Sequence, residues 1–235
     1  KIYPVTRQIG KKDIFIQPSI RNAEGNSLSE RHTFEAVFEQ MKPSVRWVDD
    51  GNIVPTDNGV YIPFEAVALE AVDVEVVKVY ESNAVQFFQV NQINGNDELA
   101  RVGRSIHRKT ISLKEAGIAN LSKWNRFNID LSSIVQKDPG AIYQVNISYR
   151  MQHAIYECAE NDTLDEQEWD EKEWDVYHNY YYYYNRYGPG YSYYERDNPC
   201  HVTYYYNHGS GIRKNILASN IGIIAKRGKF NNVNF

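Results

Sequence analysis

The sequence predicts an all-β fold: antiparallel β-sandwich modules carrying a long acidic and tyrosine-rich insertion. Three observations carry that prediction. Short apolar runs with a two-residue alternation recur between residues 13 and 149, bounded by turn residues. A 3.6-residue apolar period nowhere lasts beyond about two turns. Charge and aromatic residues are segregated. Thirteen of the 19 tyrosines fall between Tyr177 and Tyr206, and nine acids with one lysine fall between Glu160 and Asp175. Blocks of one charge sign belong on loops or solvated faces.

The elements follow in chain order. Residues 13–17 alternate, and residues 34–39 and 44–48 form further short strands. Residues 59–67 form a longer one. Residues 72–80 give the clearest strand, with Val72, Val74 and Val76 on one face. Residues 83–90 read as the next strand, followed by an Asn94-Gly95 hairpin turn. Residues 104–113 alternate. Residues 112–121 make the best helix candidate, interrupted by Gly117. Residues 126–131 place Phe127, Ile129 and Leu131 on one face, and residues 141–149 do the same for Tyr143, Val145, Ile147 and Tyr149. A turn at Asp138-Pro139-Gly140 separates these two. Residues 162–177 can form one or two helical turns, and residues 216–225 make a last apolar strand.

A module boundary is expected at Met41-Lys42-Pro43. Residues 1–42 hold about three strands, too few to close a sandwich, and read as the end of a preceding module. Residues 43–212 read as one sandwich with an insertion at about 151–212. Residues 213–235 read as a linker and the first strand of a following module.

Composition excludes several classes. An apolar content of 42% and an aromatic content of 14% exclude a disordered polypeptide. No stretch approaches the ~20 apolar residues that span a bilayer. A net charge of −4 argues against general nucleic-acid binding. No signal-peptide pattern starts at Lys1, so any such segment has been removed. Two cysteines permit one bridge. There is no Gly-x-Ser-x-Gly, no His-Glu-x-x-His and no phosphate-binding Walker loop, so the chain is expected not to be an enzyme. No cofactor is expected. His32, His107 and His153 fall in strand or strand-end patterns and read as structural.

The segment Asn215-Ile-Leu-Ala-Ser-Asn-Ile-Gly-Ile-Ile-Ala-Lys-Arg-Gly228 resembles bacterial alpha-2-macroglobulin family proteins of the Bacteroidetes type. Further stretches resemble the family's N-terminal macroglobulin region in the same order: Pro63-Phe-Glu-Ala-Val67, Val72-Asp73 with Val79-Tyr80-Glu81, Arg101-Val-Gly-Arg104, Leu121-Ser-Lys-Trp-Asn125 with Asp130-Leu131, and Pro139-Gly-Ala-Ile-Tyr143. The likeness covers roughly residues 30–228. It implies tandem macroglobulin, immunoglobulin-like β-sandwiches of a protease inhibitor in the bacterial cell envelope. It implies a periplasmic or outer-membrane-associated location and leaves open a lipid anchor carried on a missing N-terminus. The implied partners are neighbouring macroglobulin domains and, through the full-length protein, proteases. The alternative is a stand-alone β-sandwich that binds carbohydrate or protein through its tyrosines. The family's thioester lies in a Gly-Cys-x-Glu-Gln motif. Cys158-Ala-Glu-Asn161 departs from it, with Glu157 where the Gly belongs and Asn161 where the Gln belongs.

An export compartment favours a Cys158–Cys200 disulfide, pinning both ends of the insertion. The alternatives are unpaired thiols, or a metal site from Cys158, Cys200, His201 and His208, whose spacing matches no known signature. The acidic run lacks an EF-hand loop, so it reads as solvated and no metal is expected. The tyrosines Tyr180 to Tyr184, Tyr187, Tyr191, Tyr193 and Tyr194 suit an interaction loop, of which Tyr181, Tyr182, Tyr183 and Tyr184 are the densest part. The other reading folds this loop back over its own sandwich.

Overall fold

A computed structural model describes residues 8, 10–136, 138, 140–158, 190–209, 211–219, 226–227 and 233–234. The chain divides into two compact units, 1–41 and 42–235. The acidic run and the tyrosines Tyr180 to Tyr184 and Tyr187 lie outside the described residues.

The described part of the first unit is a hairpin. Strand β1 (Gly10–Ile16) pairs antiparallel with β2 (His32–Phe38), from Gly10↔Phe38 to Ile16↔His32. In the connecting loop the Asn22 side chain accepts from the backbone N–H groups of Glu24 and Asn26, at 3.1 and 2.8 Å, as turn-forming Asn residues do. The register puts Ile14, Ile16, Phe34, Ala36 and Phe38 on one face. No described residue of this unit is buried.

The second unit contains a β-sandwich. One sheet has five strands in the order β4 (Ile53–Val54), β10 (Ile212–Ala218), β9 (Ile142–Ser148), β6 (Ala71–Val79), β7 (Gly103–Ser112). The other has three: β3 (Ser44–Trp47), β5 (Tyr61–Val67) and β8 (Asn125–Asp130). All pairs are antiparallel except β4 with β10. Alternation sorts the faces. Ile62, Phe64, Phe127 and Ile129 from the small sheet meet Val72, Val74, Val76, Tyr143, Val145, Ile147 and Ile216 from the large one in a single core. Pro63 is tolerated within β5 because β3 pairs only Phe64–Val67, leaving one neighbour at that position. Lys226–Arg227 and Val233–Asn234 pair as a small ladder.

Four expectations need correction. Residues 83–90 are not a strand: Ala84–Val90 is helix α1, followed by α2 (Leu99–Val102). These short helices cap one end of the large sheet, where Phe87 packs with Val79, Val102 and Ile142. Asn94-Gly95 is correspondingly not a hairpin turn. The Asn91 side chain organises this loop, donating to the carbonyls of Phe87 and Asp97 and accepting from the Asp97 N–H. It also fills the space a Cβ on Gly95 would need. The helix expected at 112–121 is a single 3-10 turn, Lys114–Ala116, ended by Gly117 at φ 70°. The last strand begins earlier than residue 216: Ile212–Ala218 belongs to the large sheet, so its first residues are not a linker.

Both faces of β6 and β9 are covered, and every residue of β9 is buried. The outer face of the large sheet is therefore polar yet enclosed: Asp73, Glu75, Gln144, Asn146, Ser148 and Asn215 are all under a tenth exposed. Such groups need partners. Arg150 and Thr110 bond Asp73, Arg108 bonds Glu75, and Gln144 bonds Asn215.

Candidate functional site

The candidate site is the tyrosine-lined corner where the insertion leaves and rejoins the sandwich. Leaving β9, the chain makes a 3-10 turn, Met151–His153, and an isolated bridge from Ala154 to Leu69. Cys158 follows and is bonded to Cys200, with Cα atoms 5.6 Å apart. The returning chain turns at Asn198, whose side-chain oxygen accepts the Cys200 N–H at 3.0 Å. It then enters helix α4, Val202–His208, with α3 (Ser132–Val135) preceding it in the chain. His201 caps α4, its Nδ1 accepting from the Thr203 N–H at 3.2 Å.

This helix lies within the stretch read from sequence as insertion, and two of its tyrosines are core residues. Tyr204 and Tyr205 are buried and join Tyr149 in the main hydrophobic cluster. Their rings stack edge-on, 5.2 Å apart, and Tyr205 meets Tyr149 edge-on at 6.2 Å. The hydroxyls of Tyr149 and Tyr204 both donate to the Pro43 carbonyl, at 3.0 and 2.7 Å, and Tyr205 donates to the Pro199 carbonyl at 2.8 Å. Burial pushes the phenols of Tyr149 and Tyr204 above their ordinary range. Lys42 adds a bond to the Asp197 carbonyl at 2.5 Å.

The outer side of the corner is different in character. Tyr194 is 91% and Tyr193 60% exposed. Their rings meet edge-on at 6.0 Å, and the Arg196 guanidinium lies 4.1 Å from the Tyr193 ring centroid. Tyr191 is half-buried. The structure thus brings Cys158, Cys200, Tyr191, Tyr193 and Tyr194 into one corner with Tyr204 and Tyr205. His201 serves as a helix cap, and His208 packs on Tyr204 at 4.6 Å between ring centroids.

Chemically the corner offers aromatic surface, hydrogen bonds and one guanidinium. Among the described residues no group of three or more His, Cys, Asp or Glu side chains could hold a metal ion. A shallow, open hollow of about 170 Å³ elsewhere is lined by Trp47, Asp49, Asp50, Asn94, Arg213 and Lys214. Two of its charges are paired: Lys214 donates to Asp49 Oδ1 at 2.6 Å, holding the Asp49 carboxyl below its usual range.

Sequence reasoning missed two groups. One is the Asp73, Arg150 and His153 cluster behind the disulfide arm. Arg150 binds Asp73 through Nε at 2.8 Å, and His153 Nδ1 accepts the Arg150 N–H at 3.3 Å. Burial is the largest influence on His153 and lowers its pKa. The signal was Asp73 within a valine strand. The other is Pro43, visible only as a boundary marker, whose carbonyl anchors two tyrosines.

No family model matches the chain, and no curated protein matches it. Six solved chains resemble it. Native alpha-2-macroglobulin from Escherichia coli, in a crystal structure spanning domains MG0-NIE-MG1, is 13% identical over 93% of this chain and 53% of that one, with a TM-score of 0.49. This chain therefore spans about half the length of that structure. The cryo-EM native conformation of the Escherichia coli protein is 16% identical over 60% of this chain and 9% of that one, with a TM-score of 0.45. Salmonella alpha-2-macroglobulin reacted with methylamine is 13% identical over 57% of this chain and 8% of that one, with a TM-score of 0.38.

Proposed function

We propose that the chain is a non-catalytic structural and binding module of an alpha-2-macroglobulin-like protease inhibitor of the bacterial envelope. The observation that carries this reading is the hairpin. Its face of Ile14, Ile16, Phe34, Ala36 and Phe38 belongs to a sheet, yet none of its residues is buried. A two-stranded ribbon is marginal alone, and such a face calls for a second layer. Strands from a neighbouring macroglobulin domain would supply that layer. The collinear sequence resemblance supports the same reading.

On this reading the module works mechanically, as part of a frame that responds when a protease cuts the parent protein. Hydrogen exchange tests it. In the isolated chain the β1 and β2 amides exchange quickly, and in the parent protein they become protected. Protease treatment of the parent then shifts its mobility on a native gel. Equal hairpin protection in both settings, or an unshifted parent, overturns the proposal.

The exposed pair Tyr193 and Tyr194 favours a second reading, a carbohydrate- or protein-binding β-sandwich. Aromatic rings displayed beside a guanidinium are suited to sugar faces and to partner surfaces. Under this reading Tyr194→Ala abolishes retention on a glycan or protein ligand while leaving the fold intact. Under the first reading no such ligand is retained by the isolated chain.

A further inference from the structure

Strand β7 carries a feature that neither reading uses. It is ten residues long, lies at the edge of the large sheet, and exposes every side chain from Arg104 to Thr110. Among the described residues it pairs only with β6. Long exposed edges invite another strand. The strand holds Arg104, His107, Arg108 and Lys109 and no acid.

A bulge organises these cations. The register runs Lys109↔Val74 and His107↔Val76, then slips so that Ser105 faces Val77 and Arg104 faces Lys78. Ile106 is the inserted residue, and it is 40% exposed. In a regular strand Arg104 would fall on the opposite face from His107 and Lys109. The extra residue moves it into their phase, since Val74, Val76 and Lys78 share one face of β6. That face is the one whose Ile111 packs against the core, but Arg104, His107 and Lys109 lie beyond its cover and are all exposed. Arg108, on the other face, is held by Glu75 at 2.9 Å. Arg104 and Lys109 form no ion pair among the described residues.

We propose that β7 is a docking edge for an extended acidic segment of a partner protein, one with carboxylates at alternate positions. Main-chain pairing to β7 supplies the register-dependent contacts, and the stripe of Arg104, His107 and Lys109 selects carboxylates at every second residue. A neutral or basic strand is rejected by the same stripe. This surface rests on β7 alone and stands apart from the protease-inhibitor reading.

The test uses the full chain and a fluorescent ten-residue peptide alternating Glu and Thr. A second peptide of the same composition, with its Glu residues in one block, controls for charge. The alternating peptide is expected to bind at least tenfold more tightly than the block peptide. Its affinity should fall as salt rises, and the β7 amides should exchange more slowly in the complex. Arg104→Glu with Lys109→Glu should weaken binding at least tenfold, whereas Lys123→Glu, outside β7, leaves it unchanged. Circular dichroism melts confirm that the variants are folded. Equal binding of both peptides reduces the effect to charge and overturns strand docking. Unchanged binding by the double variant, or no binding at all, also overturns it. Binding that appears only after residues 160–175 are neutralised assigns the edge to the chain's own acidic run and overturns the partner.

Discussion

A single carbonyl, that of Pro43, receives two phenolic hydroxyls from separate elements of the second unit, Tyr149 on the exit from β9 and Tyr204 on α4. Each bond is worth about 0.5–1.5 kcal/mol net, but leaving the buried acceptor unpaired costs about 1–3 kcal/mol. Tyr149→Phe or Tyr204→Phe alone should therefore lower stability by about 1 kcal/mol. The double variant should lose more than the sum, a coupling that urea-unfolding midpoints will show. The phenols also set an alkaline limit. Their folded pKa values are raised, so the stability they carry is complete below the unfolded value near pH 10 and falls as pH rises above it. His153 works in the other direction. Burial lowers its pKa, so the unfolded chain takes up a proton more readily near pH 6.5, and stability falls on acidification. Between pH 5 and 7 the melting temperature should rise with pH, and His153→Gln should flatten that slope. None of this was legible in the sequence. His153 and Tyr149 were readable as strand-end residues, but the Asp73 that holds the neighbouring Arg150 and the Pro43 that holds Tyr149 lie 77 and 106 positions away.

At the scale of elements, the strands that alternate strictly were readable, and those ruled by context were not. Residues 72–80, 126–131 and 141–149 show a two-residue period because one face meets the core. Residues 83–90 carry Val85, Phe87, Phe88 and Val90, a spacing that suits either state. Contact decided: only Phe87 is buried, against Val79, Val102 and Ile142. Phe87→Ala should cost about 3–4 kcal/mol, as a large cavity in a small cluster does. Phe88→Ala, half-exposed on the same helix, should cost under about 0.5 kcal/mol. Chemical denaturation of the two variants separates them. Helix α4 was hidden by composition, since tyrosine is a middling helix former and its run suggested a loop. The disulfide ahead of it closes a separation of 42 residues. In the chain-entropy model such a closure is worth roughly 3–4 kcal/mol. Reduction should lower the melting temperature and speed exchange of the Val202–His208 amides first, as exchange mass spectrometry would record.

At the scale of the molecule, the sandwich was legible from strand number and spacing, but its closure was not. The sequence separates residues 43–54 from 212–219 by more than 150 positions, and no local pattern joins them. In the structure they lie side by side. Trp47 Nε1 donates to the Arg213 carbonyl at 3.0 Å and Lys214 donates to Asp49. Asn52 donates to the Asn215 carbonyl at 2.6 Å. The backbone adds Leu217 N–H to the Asn52 carbonyl and Ser219 N–H to the Val54 carbonyl, at 2.8 and 3.0 Å. Because β4 and β10 run parallel, tension drawn along the chain on either side of the sandwich slides these strands past one another. The bonds between them then carry the load together rather than peeling open one after another. A module fastened in this way is stiff along its own length: it passes a pull onward before it yields.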